Sequence, residues 1–92
     1  MNECYSIFRK ILERYKTNEI SKKEINTILT NEVDIEYVHN SNDTLASDLY
    51  YSLLHYSFGE DDFTIPEALY FLECLNGLRK HSFEDKFTIC YN

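Results

Sequence analysis

Apolar residues at Cys4, Phe8, Ile11, Leu12 and Tyr15 recur at the three-and-four spacing of one helical face, with Arg9, Lys10 and Glu13 opposite, and predict a first helix over 3–16. A second start is marked by Ser21 as N-cap and Glu24 three residues on, the two halves of a capping box, with Ile20 and Ile25 placed as a hydrophobic staple. This helix is expected to run to Asn31 on Ile25, Ile28 and Leu29. Residues 32–42, where the alternation of Val33, Ile35 and Tyr37 competes with helical flanks, could be an extended stretch or a short helical turn, and the segment reads as a connector. Asn42 and Asp43 are candidate caps for a third helix ending near Phe58, with Gly59 just past its end and Leu45, Leu49, Leu53 and Tyr56 on the inner face.

Thr64 and Glu67 form another capping box, and Pro66 stands in the first turn, where its missing N–H is tolerated. The fourth helix is expected to reach Lys80 on a stripe of Ile65, Ala68, Leu69, Leu72 and Leu75, with Arg79 and Lys80 suiting the negative end of its dipole. The tail 81–92 is ambiguous, because Phe83 and Phe87 are spaced for a helix whereas Phe87, Ile89 and Tyr91 alternate like a strand; it is expected to pack. Four antiparallel helices with short connections, an all-α, four-helix bundle-like single domain over 1–92, is the economical architecture.

Composition agrees with helices. Two Gly and one Pro in 92 residues leave few places for tight turns. Three cysteines, Cys4, Cys74 and Cys90, are an odd number without C-x-x-C spacing, which argues against a disulfide framework and a zinc knuckle and suits a reducing cytoplasm. The first residues lack a basic stretch followed by an apolar one, and charges interrupt every apolar run before it could span a bilayer, so a cytoplasmic, membrane-free protein is expected.

Charge changes the picture most. Residues 24–78 carry eleven Asp or Glu and no Lys or Arg, a formal charge of −11, against +4 for the remainder and −7 for the whole. Such a field attracts cations and basic proteins and repels nucleic acid and anionic lipid, so no direct nucleic-acid partner is expected. The bland explanation is an acidic face that keeps the protein solvated. With the inner face of helix three fixed as above, Asp48, Tyr51 and His55 fall together on its outside. Helix four similarly turns Tyr70 and Glu73 outward, and Glu60, Asp61 and Asp62 stand between the two helices. Tyrosines with little rotamer entropy to lose, set among carboxylates that receive Arg or Lys, make an interface hot spot. These eight residues are the expected partner-binding surface.

Chemistry of other kinds finds no support in the spacing. The acidic triplet lacks the alternating oxygen ligands and central Gly of a calcium loop, and His39, His55 and His81 show no metal-binding pairing, so neither a metal nor a cofactor is expected. No nucleophile motif or phosphate-cradling Gly loop is present, and Cys74 falls at a helix-core boundary where thiols are inert, so no catalytic residue is assigned and no enzyme is expected.

The small acidic helical pattern with an exposed Tyr/Asp patch resembles the immunity proteins that neutralise bacterial nuclease toxins, in particular those of tRNA-cleaving toxins of the colicin D type and of contact-dependent growth inhibition systems. Asp48-Leu49-Tyr50-Tyr51 is similar to the Asp-Leu-Ile-Tyr-Tyr-Pro stretch of DNase-colicin immunity proteins, themselves four-helix bundles, except that the second Tyr follows Asp by three residues instead of four and Ser52 replaces Pro. The resemblance implies a stoichiometric antitoxin whose acidic groups stand where substrate phosphates would lie and pair with Arg and Lys of a basic nuclease toxin domain. A phage-encoded DNA mimic (an anti-CRISPR or anti-restriction protein) and a small helical adaptor are the alternatives. Salt-insensitive binding would mark the adaptor, since screening weakens only the charged modes.

Overall fold

Ser21, Asp43 and Thr64 each accept a backbone N–H from the residue three positions on, at 3.1, 3.0 and 3.2 Å, and each starts a helix. Ser21 with Glu24 and Thr64 with Glu67 thus form the N-cap half of each expected capping box. The computed structural model describes residues 3–91, in which the elements are α1 (Glu3–Lys16), α2 (Lys22–Glu32), α3 (Ile35–Asn40), α4 (Thr44–Ser57), α5 (Ile65–Leu75) and α6 (Phe83–Tyr91). Expectations concerning Met1, Asn2 and Asn92 lie outside the described residues. The all-α expectation holds, and no strand occurs among the described residues.

Helix ends are as local as the starts. Asn18, Gly59 and Gly77 have φ of 59°, 77° and 75°. Each follows a helix and donates its N–H back to a carbonyl of the last turn, to Tyr15, Tyr56 and Cys74 respectively, while the next residue reaches one step further back, to Arg14, His55 and Glu73. This double bond pattern satisfies the orphan carbonyls that a helix terminus leaves behind.

Inside, Phe8, Ile11 and Leu12 of α1, Ile25 and Leu29 of α2, Leu49 and Leu53 of α4 and Phe71 of α5 are at most 1% exposed. Each such side chain contributes about 1.5–3 kcal/mol of apolar burial. The staple residues Ile20 and Ile25 are both buried. α2 packs along α4 and α1 along α5, and Asn26 bonds Ser57 at 3.1 Å across the first pair. α6 runs back along α5, with Ser82 beside Tyr70 and Lys86 beside Glu67.

Three expectations need correction, and the alternatives left open for 32–42 and for the tail are resolved. The connector 32–42 contains α3, because Asp34 Oδ1 accepts the N–H groups of Glu36 and Tyr37 and starts a turn that the alternation of apolar residues concealed. The fourth long helix stops at Leu75, not Lys80, because Asn76 caps it and Gly77 takes the left-handed conformation that ends it. Its inner face is rotated: Ile65 and Leu69 are 44% exposed, whereas Tyr70, Phe71 and Cys74 are buried, since α5 is covered by α1 on one side and α6 on another. Tyr56, expected inside, is half-buried and meets Tyr15 edge to face. The ambiguous tail packs as a helix.

Candidate functional site

α6 is seated by charge. Asp48 of α4 accepts Lys86 Nζ on Oδ1 at 2.7 Å and His81 Nε2 on Oδ2 at 2.8 Å, with Ser52 Oγ donating to Oδ1 at 3.2 Å. The Asp48 and His81 side chains are only 8% and 7% exposed. Lys86 also reaches Ser52 Oγ at 3.2 Å and Glu67 Oε2 at 3.5 Å, and His81 Nδ1 lies 3.2 Å from the Thr44 hydroxyl. Burial pushes the Glu67 carboxyl above the usual range, and Lys86 opposes that shift without cancelling it. Asp48, expected to meet a partner, is therefore an internal anchor of the C-terminal helix.

Tyr70 is likewise inside, at 1% exposure. Its hydroxyl donates to the Ser82 carbonyl at 3.0 Å and accepts the Ser82 N–H at 2.7 Å, so it clamps the residue that leads into α6. Both displacements have one cause: outward faces assigned to α4 and α5 while α6 was left without a place are the faces that α6 covers.

The remaining expected site residues divide into one cluster and two single residues. Tyr51 is half-buried and its hydroxyl lies 3.0 Å from His39 Nε2 of α3. His55, exposed on α4, bonds Glu60 at 2.7 Å, which ties the end of that helix to the loop that follows. Glu73 is exposed but sits near the C-terminal end of α5, 3.7 Å from Arg79, away from the acidic triplet that precedes the N-terminal end. The structure thus brings His55, Glu60, Asp61 and Asp62 together, leaves Tyr51 one turn before His55 on α4 and turned to His39, and sets Glu73 apart at the far end of α5.

The acidic loop is held rigidly from both sides. On one side Gly59 and Glu60 bond back to α4. On the other Phe63 is buried, its ring 5.2 Å edge-on from Tyr15 and stacked parallel to Phe71, while the Tyr15 hydroxyl donates to its carbonyl. Glu60, Asp61 and Asp62 between these anchors have nowhere to go but solvent. Asp61 and Asp62 form the lip of an open cleft of about 460 Å³ whose walls include Ser52, Thr64, Glu67, Lys86 and Cys90. Neither lip carboxylate forms an ion pair among the described residues, whereas the Lys86 charge at the wall is already taken by Asp48.

A cleft with two unneutralised carboxylates at its mouth and hydroxyl groups on its walls accepts an ammonium or guanidinium. It is less suited to covalent chemistry, because burial raises the Cys90 thiol and so disfavours the thiolate. Among the described residues no cluster of three or more His, Cys, Asp or Glu is placed to hold a metal ion, and no helix is long and apolar enough to cross a membrane. Sequence reasoning missed Ser52, Thr64, Lys86 and Cys90 as cleft residues. Only the helical spacing of Phe83 and Phe87 hinted that the tail closes a wall beside α5. No protein-family model, curated protein or solved structure matches the chain.

Proposed function

We propose that this protein is an immunity protein, a stoichiometric antitoxin that binds a basic nuclease toxin domain, a tRNA-cleaving one in keeping with the resemblance, and acts in the cytoplasm. The observation that carries the reading is the fixed loop Glu60-Asp61-Asp62, whose lip carboxylates lack internal partners and open onto a cleft the size of a few side chains. A lysine or arginine of the toxin enters this cleft, so that the inhibitor occupies cationic groups that would otherwise hold the phosphates of the substrate. The contact set contracts to Glu60, Asp61, Asp62 and His55, with Tyr51 and Glu73 at separate flanks and Asp48 and Tyr70 withdrawn. The net charge of −7 steers encounter with such a partner and raises the association rate at low salt.

Two features support this reading over a DNA mimic. Mimicry needs carboxylates spaced in series along a surface, whereas here the exposed acids are dispersed over every long helix and its flanks, at Glu3, Glu13, Glu19, Glu24, Glu73, Glu84 and Asp85, with local groups only at 60–62 and at Glu32, Asp34 and Glu36. The triplet also rests on a stiff support, which favours a single docking pocket. The test is affinity isolation from the source cell with tagged wild-type chain and with Asp61→Lys/Asp62→Lys. The expected result is a basic protein retained by the wild type and lost from the variant, whose RNase activity is titrated to zero at one equivalent of wild-type chain. A partner held equally by both chains, or an acidic one, would overturn the proposal.

A further inference from the structure

The polarity of α6 is inverted. Its inner side carries Lys86, and the adjoining His81 likewise points inward, both consumed by Asp48, while Phe83 and Phe87, one turn apart, are 60% and 64% exposed. Glu84, three residues before Phe87 and so beside it on the helix surface, is exposed and forms no ion pair among the described residues. Two large aromatic side chains at adjacent positions of one helix mark an interaction surface more often than bare solvent exposure.

Elsewhere the same chain has the complement. α1 and α2 diverge enough to leave a groove of about 550 Å³ floored by Ile7, Ile11 and Ile28 and bordered by Arg9, Lys10 and Arg14. Among the described residues Arg9 bonds neutral oxygens, the Asn76 side chain and the Leu75 carbonyl, both at 3.0 Å, and no carboxylate cancels its charge. Arg14 is engaged by Glu24 at 2.9 Å and Glu13 by Lys16 at 3.0 Å, which leaves Arg9 and Lys10 against Glu32. In a chain of net charge −7 this is an apolar, locally cationic slot.

We propose that α6 of one copy docks in the α1–α2 groove of a second copy, Phe83 and Phe87 entering the slot and Glu84 meeting Arg9 and Lys10. The spacings match: Phe83 and Phe87 are four residues apart, as are Ile7 and Ile11, so each pair spans about 6 Å and a ridge of one helix fits a furrow of the other. Because the donor helix and acceptor groove are different surfaces of the chain, the contact is heterologous, and each added copy still offers a groove or a helix. A contact built on one short helix belongs with small, weak interfaces, so monomers prevail when dilute and oligomers grow with concentration. The acidic cleft takes no part, and the inference stands whether or not the toxin reading does.

Sedimentation velocity of the full chain from about 10 µM to about 1 mM, the range in which interfaces of this class assemble, gives the first readout. The mean mass should climb past that of a dimer and fall back on raising the salt. Phe83→Ala/Phe87→Ala and Ser6→Glu/Lys10→Glu should each weaken association at least tenfold while leaving the far-UV circular dichroism and unfolding midpoint unchanged. Mixed one to one they should form a dimer that does not grow, since one supplies only the groove and the other only the helix. Concentration-dependent amide shifts in the wild-type chain, confined to α1, α2 and α6, report the same contact without any substitution. A wild type that stays monomeric throughout, variants that associate like it, a mixture no heavier than its components, or shifts elsewhere would each overturn the proposal.

Discussion

Replacing Asp48 with Ala removes the one group that bonds both His81 and Lys86 and leaves Lys86 with Glu67 alone, 3.5 Å away. Depriving a buried cation of its nearest counter-charge costs up to about 3–5 kcal/mol when the structure cannot relax. Here it can, because α6 can swing out and hydrate Lys86 and His81, and the loss is then limited to what the docked helix contributes. That contribution is the two bonds of the Tyr70 hydroxyl to Ser82, about 1–3 kcal/mol together, and the partial burial of Ile89 and Cys90, about 1–2 kcal/mol. Both routes converge near 3 kcal/mol, or a melting temperature about 12–24 °C lower for a chain of this length. Urea unfolding measures the size, and thiol labelling separates the routes. If α6 swings out, Cys90 labels about a hundredfold faster, at a local opening cost reduced by roughly 3 kcal/mol, while Cys4 and Cys74 stay protected in the core. A loss under about 1 kcal/mol with Cys90 labelling unchanged would show that the charge cluster does not hold the helix.

Asp43 is a second hub: it caps α4, and its Oδ2 accepts the hydroxyls of Tyr5 at 2.7 Å and Tyr37 at 2.8 Å, so that α1, α3 and α4 meet on one carboxylate. Burial works to raise its pKa, but the Ala46 N–H and both hydroxyls outweigh it and hold the carboxyl below the usual range. The stability it contributes is therefore present above the unfolded value near ~3.9 and lost as the pH falls through the lower folded value; Asp43→Asn should flatten that acid limb, and Asp43→Ala should cost about 2–4 kcal/mol at neutral pH, both read by denaturant titration. Leu72→Ala should cost about 2–4 kcal/mol and Leu69→Gln less than about 0.5, because the first is buried and the second largely exposed; a reversed order in thermal melts contradicts the face assigned to α5. Tyr70→Phe should destabilise by about 1–3 kcal/mol by leaving the Ser82 amide unpaired, seen as faster amide exchange at Ser82.

What was legible in the sequence was local. Ser21 with Glu24, Thr64 with Glu67 and Asp43 mark helix starts through bonds that span three residues, and the short-range pattern determines them whatever packs above. Gly77 carried the same kind of information, and ending the helix at Arg79 and Lys80 ignored it in favour of a weaker dipole preference. Side-chain direction was less accessible. Asp48 and Tyr70 are polar enough for an outer face, and their burial depends on partners 33 and 12 residues away, His81 and Ser82, in a tail whose own pattern admitted two readings. The one available signal was the width of the apolar arc on α5, where Tyr70, Phe71 and Cys74 extend the stripe of Ala68, Leu72 and Leu75 beyond what one neighbour can cover. The acidic triplet needed no such knowledge, because a charged loop between a helix end and a buried Phe63 has only solvent to face.

Three reversals of the chain, at Asn18, Gly59 and Gly77, are encoded by single left-handed residues whose bonds reach no further than the preceding turn. Corners of this kind close in the nascent peptide before distant parts of it have met, and they lower the loop-closure entropy that helix pairing must overcome. The expected kinetic signature is rapid, single-exponential refolding, with α6 arriving last, since its charged seat exists only once α4 and α5 lie side by side.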